Sequence, residues 1–174
     1  NLRNLMENMS HKAAKYKRKV DFGLRVHVVV RETEEEAYEY AESIISKLDL
    51  DIGQELRERA LDAQSYGVSR QKEMREQSSR DGYVEPHLWT GIGKARSGCG
   101  AALVGNPDQI VEKLNRYMDM GIRSFILSGY PNLDECNRFA ELVLPRLQTF
   151  SMPQIQGKTS KKVPLSPLAN GIRV

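Results

Sequence analysis

The sequence predicts an α/β fold in which short strands alternate with helices around a parallel sheet, and three observations point there. Residues 21–36, DFGLRVHVVVRETEEE, open with an apolar strand and run directly into a helix start. Because side chains alternate across a strand, Arg25, His27 and Val29 share one face and Leu24, Val26, Val28 and Val30 the other, so both faces read as covered. A strand covered on both faces is typical of parallel sheets with helices outside. Two further strand-to-helix units follow after residue 100, and such repeats imply a parallel sheet, open or closed into a barrel.

Each element has its own signal. Leu2, Leu5, Met6 and Met9 give the first stretch a helical apolar stripe. The basic run His11–Lys19 suits a helix C-terminus. Thr33, followed three residues later by Glu36, forms a capping box for a helix with the stripe Ala37, Tyr40, Ala41, Ile44, Ile45 and Leu48. Residues 51–80 are charged and helix-forming, and 81–100 are glycine-rich and irregular, so 51–100 reads as an insertion and lid. Ala101–Val104 predicts a strand, and GNPDQIVEKLNRYMDMG a helix capped by Asn106, opened by Pro107 and closed by Gly121. Ile122–Leu127 predicts another strand. The last helix would turn Leu133, Cys136, Phe139, Ala140, Val143 and Leu144 inward. Residues 151–174 lack periodicity and read as an extended tail that could serve as an oligomer arm.

Composition bounds the function. The chain has 174 residues, 40% hydrophobic and 28% charged, enough for one core in residues 1–150. A net charge of +3 without aromatic interleaving gives no case for nucleic acid. No signal-peptide pattern or long apolar run is present, so neither secretion nor a membrane span is expected and the default compartment is cytoplasmic. Cys99 and Cys136 lie far apart, and His11, His27 and His87 lack zinc-site spacing, so neither a disulfide nor a metal is expected. Both cysteines read as small packing residues, with Cys99 in a loop where it could be oxidised.

In βα architectures chemistry sits at the carboxyl ends of the strands. The strand bearing Arg25 and His27, the loop GIGKARSGCG with Arg96 at its middle, and Tyr130 after the third strand converge there. Two permanent cations, an imidazole and a phenol suit an anionic substrate. Two bland readings stand beside this one: an Arg held by a structural carboxylate with a His filling space, and a purely structural glycine loop. The loop is neither dinucleotide fingerprint nor P-loop. Arg96 occupies the third glycine position, and Ala95 follows Lys94 where Ser or Thr is needed. Gly105 and Asn106 make a poor phosphate cradle, because Pro107 removes a donor and Asp108 adds negative charge.

Three separated runs in order, GLRVHVVVRETEEEA, PHLWTGIGKARSGCGAALVG and GIRSFILSGYPNLDE, resemble the C-terminal half of the alkanesulfonate monooxygenases. These are flavin-dependent members of the bacterial luciferase-like superfamily. The resemblance covers almost all of residues 1–152 and implies the C-terminal part of a TIM (β/α)8 barrel, about three βα units, with the first five barrel strands lying outside this sequence. It also implies a two-component enzyme. An NAD(P)H-dependent FMN reductase would supply reduced FMN, and O2 would be used to cleave an alkanesulfonate into aldehyde and sulfite for sulfur acquisition. A homo-oligomer is expected. By motif, Arg25 and His27 match active-site strand residues, Arg96 the lid arginine, and Tyr130 the tyrosine after the last strand. Arg25 and Arg96 would then bind the sulfonate, His27 would carry or donate a proton, and Tyr130 would donate toward the cofactor or the sulfonate. A closed lid would keep water from the reacting flavin. Two alternatives are a sister enzyme acting on another organosulfur compound such as a sulfone, and a non-catalytic truncated remnant. With the barrel incomplete, the chain alone is expected to lack turnover and to associate.

Overall fold

The computed structural model describes residues 2–62, 66–79, 81–94 and 100–150, and the tail 151–174 lies outside them. In chain order the elements are α1 (Leu2–Lys15), β1 (Phe22–Val30), α2 (Glu34–Ile45), α3 (Leu50–Asp62), α4 (Tyr66–Gln77), β2 (Tyr83–Glu85), β3 (Leu88–Trp89), a 3-10 turn (Gly91–Lys94), β4 (Ala102–Gly105), α5 (Pro107–Asp119), β5 (Ile122–Ser128), α6 (Asn132–Leu142) and a 3-10 turn (Leu144–Arg146).

The strands form one sheet in the order β2-β3-β4-β1-β5, with β1 parallel to both β4 and β5. The expected α/β sheet is present, and its parallel strands with covering helices are those of part of a (β/α)8 barrel. Its centre is β1. β5 pairs with β1 from Phe22 to His27, whereas β4 pairs only with His27–Val30. The β2–β3 hairpin then extends the sheet antiparallel beyond β4.

Side-chain alternation along β1 divides the core. Val26, Val28 and Val30 pack with Leu103, Ile110, Leu114, Tyr117, Ile122, Val143 and Met6, which brings α1, α5 and α6 onto one face. Val29, Ala102, Val104 and Trp89 face the other way and meet Ala37 and Ala41 of α2. This second cover reaches only the carboxyl half of the strands. Arg25 is exposed and Ile126 is 65% exposed, so the expectation that both faces of β1 are buried fails at Arg25. No element among the described residues lies over that half-face.

Local signals account for the element starts. Thr33 and Glu36 form the reciprocal capping box of α2, and Asn106 and Gln109 form a second one at α5, which assigns Asn106 to capping. Gly121 closes α5 with φ +104.

Three expectations are corrected. In α1, Met6 is buried and Leu2 packs against the core, but Leu5 and Met9 stay largely exposed, because only one side of this helix meets the sheet. In α6, Leu133, Cys136, Ala140 and the following Leu144 are exposed, while Glu135 and Val143 are buried and Phe139 half-buried. The helix is turned by a buried ion pair at Glu135, so Cys136 is not a packing residue. Finally, residues 83–94 are not irregular. They form the hairpin and a 3-10 turn in which Trp89 is 2% exposed and Thr90 donates to the Gly82 carbonyl at 2.8 Å. Gly91 is required there by close approach, not by flexibility, since a Cβ would fall 2.0 Å from the Trp89 ring.

Candidate functional site

The site grows from the carboxyl end of β1, where His27 is paired across the sheet with Ser128 on one side and Ala102 on the other. Alternation places His27 on the same face as Arg25, and pairing adds Ser128 and Ile126 to that face. His27 is 4% exposed, and its Nδ1 shares a 3.0 Å hydrogen bond with Ser128 Oγ. Its backbone N–H donates to the Ala101 carbonyl at 3.1 Å.

Tyr130 follows at once after β5, and its ring centroid lies 5.3 Å from the His27 imidazole at a 34° tilt. The structure therefore joins His27 and Tyr130 in one cluster and adds Ser128. It places Arg25 two residues earlier on the same face, exposed beside Ile126. Arg96 and Cys99 lie outside the described residues, so the lid arginine is not located.

Behind this cluster is a polar unit that residue spacing did not suggest. Arg31 is the first residue beyond β1, and its guanidinium forks onto Glu135 of α6, donating to Oε1 at 2.7 Å and Oε2 at 3.2 Å. It also donates to the Val30 carbonyl at 2.6 Å and lies 3.6 Å over the Tyr40 ring. Tyr40 in turn donates its hydroxyl to the Tyr130 carbonyl at 3.0 Å. Glu135 is 4% exposed, and burial of a carboxylate is tolerated only because this fork compensates it. The one available signal was Arg31 itself, a cation directly after a buried strand.

A second polar cluster fastens the hairpin beside the same strand ends. His87, with φ +64, approaches the Val104 carbonyl at 3.2 Å, the Tyr38 hydroxyl at 3.4 Å and Glu34 Oε1 at 3.7 Å. Lys113, buried in α5, donates to the Pro86 carbonyl at 2.8 Å and pairs with Glu85 at 2.7 Å. Hydrogen bonds from Gln109 and Tyr38, with the His87 charge, hold the Glu34 carboxyl below its usual range. Burial, and then the neighbouring Glu34, push the Tyr38 phenol up to about 12. Tyr83 is raised as well, first by burial, so both phenols stay protonated as donors.

An apolar cavity of about 310 Å³ lies under α6 between Val28, Leu127 and Phe139. It opens on the helix-covered side of the sheet, away from Arg25. Among the described residues no group of His, Cys, Asp and Glu has a metal-binding arrangement, and no helix is long and apolar enough to cross a membrane.

The luciferase-like monooxygenase family matches residues 1–124, more than half of the chain. The chain belongs to that family. It is 54% identical over 99% of its length to a sulfoquinovose monooxygenase of Agrobacterium fabrum, of which it spans 45%. It is also 54% identical over 84% of its length to a sulfoquinovose monooxygenase of Novosphingobium aromaticivorans, spanning 40% of that protein. The chain thus covers less than half the length of these curated relatives. Both of these relatives are named for sulfoquinovose, so they support the luciferase-like monooxygenase family without singling out the alkanesulfonate branch.

An open half-face with the Arg25 cation, the apolar Ile126 and the neighbouring Ser128, His27 and Tyr130 groups fits one wall of a site for an aromatic, anionic cofactor such as a flavin. The opposite wall is not formed by the described residues.

Proposed function

We propose that this chain is the carboxyl-terminal part of a reduced-flavin-dependent monooxygenase that desulfonates an organosulfonate, and that the substrate is the sugar sulfonate sulfoquinovose. The match to a sulfoquinovose monooxygenase across 99% of the chain carries this reading. The polar face around His27 agrees with it. The flavin is FMN, delivered by an NAD(P)H-dependent reductase.

Reduced flavin, when bound, supplies the electrons with which dioxygen is activated for attack on the carbon bearing the sulfonate. The chain's own residues do the rest. A sulfonate stays anionic at physiological pH, and the Arg25 guanidinium offers charge and a two-pronged donor set that Lys would lack. For Arg96, which lies outside the described residues, the same sulfonate-binding chemistry is proposed from the motif alone. The hydrogen bond between His27 Nδ1 and Ser128 Oγ orients the buried imidazole, for which the role of proton carrier or hydrogen-bond donor is proposed. Tyr130 packs against the imidazole and offers its phenol hydroxyl as a hydrogen-bond donor.

The test is sulfite release by the whole protein with a flavin reductase, comparing sulfoquinovose, linear alkanesulfonates and sulfones. Preferred release from sulfoquinovose is expected. Faster release from an unsubstituted alkanesulfonate, or turnover of sulfones alone, would overturn the assignment.

A further inference from the structure

We infer that Arg31, Glu135 and Tyr40 form a positioning unit that aims the Tyr130 ring at His27; this rests on the proposed function only for its consequence in turnover. A buried Arg–Glu pair adds little net stability over an apolar replacement, so its place beneath the site calls for another explanation. Its geometry supplies one. Tyr130 stands on a short turn between β5 and α6, and that turn is gripped on both sides. The Tyr40 hydroxyl holds the Tyr130 carbonyl at 3.0 Å. On the α6 side, the Glu135 backbone N–H holds the Pro131 carbonyl at 3.0 Å. The Glu135 Cβ lies where any side chain at Gly129 would stand, 2.4 Å from an added Cβ, which fixes the turn against the helix.

Arg31 links the two grips. Its guanidinium is the common surface on which the Tyr40 ring stacks and to which the Glu135 carboxylate forks. Its anchor to the Val30 carbonyl ties both to the strand that carries His27. One cation therefore references the Tyr130 backbone to the His27 backbone through two routes. The Tyr130 backbone, from which its ring projects toward the imidazole, cannot move away from β1 without straining the Tyr40 hydrogen bond or the buried charged fork.

Tyr40→Phe is the cleanest probe, because it keeps the ring stacked under Arg31 and removes only the hydroxyl that reaches Tyr130. In the whole protein the ring-current-shifted His27 imidazole signal, assigned with His27→Gln, should move in Tyr40→Phe while the melting temperature stays within a few degrees. With sulfoquinovose and reduced flavin, kcat should fall about three- to tenfold with little change in KM, the size expected for one neutral hydrogen bond. In a Tyr130→Phe background, Tyr40→Phe should add almost nothing to the loss, as coupled residues do. An unmoved His27 signal, an unchanged kcat, or an undiminished loss in the Tyr130→Phe background would each overturn the inference. If the unmodified protein releases no sulfite from any sulfonate, the functional reading fails, while the His27 signal still decides whether Tyr40 positions Tyr130.

Discussion

The two faces of β1 are treated in opposite ways, although they belong to one nine-residue strand. Val26, Val28 and Val30 are sealed under α1, α5 and α6, and the side chains that meet them are almost all apolar. On the other face only Val29 and its neighbours are sealed, by α2, and beneath them Arg25 and Ile126 stay exposed. Burial of apolar area at about 25 cal/mol per Å² makes the first face the source of stability. On the second face Arg25 lies where such burial has stopped, and the buried His27 marks the boundary of the cover. Strand parity separates the two faces, so a residue two positions along joins the same face and a residue one position along joins the other.

Arg31 and Glu135 sit at the rim where the faces meet, and breaking them should have the largest effect. Glu135→Gln removes the compensating charge from a buried guanidinium, and loss of one partner of such a pair costs about 3–5 kcal/mol. Urea unfolding should show that loss. The double change Arg31→Met with Glu135→Leu should recover most of it. A double variant as unstable as the single one would show that shape, not charge, holds the rim.

Next in size is the sealed face itself. Leu103→Ala should destabilise by about 2–5 kcal/mol through lost burial and a residual cavity. Ile126→Ala on the open half-face should change stability by less than about 0.5 kcal/mol. Equal losses in the two variants would mean that the open half-face is covered in solution.

How much of this was readable beforehand follows from the range of each signal. The Thr33–Glu36 capping box, the Asn106 cap, the strand 22–30 and the helix after Gly105 rest on residues close in sequence, and the sequence displayed them directly; that Gln109 completes a second box came from the structure. The β2–β3 hairpin escaped because strands of three and two residues are too short to show alternation. The turn of α6 escaped for a different reason. Its apolar stripe pointed Leu133 and Cys136 inward, but the helix answers to Glu135, whose partner Arg31 is 104 residues away. The shared face of Arg25 and His27 was legible from strand parity and the nearness of Tyr130 from its place after β5, whereas the different burial of the first two was not, because it depends on where the α2 cover ends. Ser128 was missed because its bond to His27 spans 101 residues.

The open face can be tested through catalysis. If Arg25 binds the sulfonate with a two-pronged contact, Arg25→Lys in the whole protein keeps the charge and loses the fork. A lost charged hydrogen bond costs about 1.5–3 kcal/mol, roughly ten- to a hundredfold in kcat/KM for sulfite release. Stability should not change, since Arg25 is exposed. An unaltered kcat/KM would remove Arg25 from the sulfonate site.

The smallest expected effect concerns the edge of the α2 cover, where Glu34 meets Gln109, Tyr38 and His87. These partners favour the ionised carboxylate, so its folded pKa lies below the ordinary glutamate value. A depressed folded pKa means that the stabilisation is present above the unfolded pKa, near about 4.3, and is lost as pH falls through the folded value. With the Glu34 side chain 38% exposed, solvent screening keeps the contribution under about 1 kcal/mol. Glu34→Gln should therefore melt slightly below the unmodified chain at pH 7, and the gap should close as the pH is lowered toward 3. A gap that persists unchanged at pH 3 would assign the effect to packing of the side chain instead of its charge, and the hairpin would then be held to α2 by contacts such as Tyr38 with His87 and Tyr83 without help from the Glu34 charge.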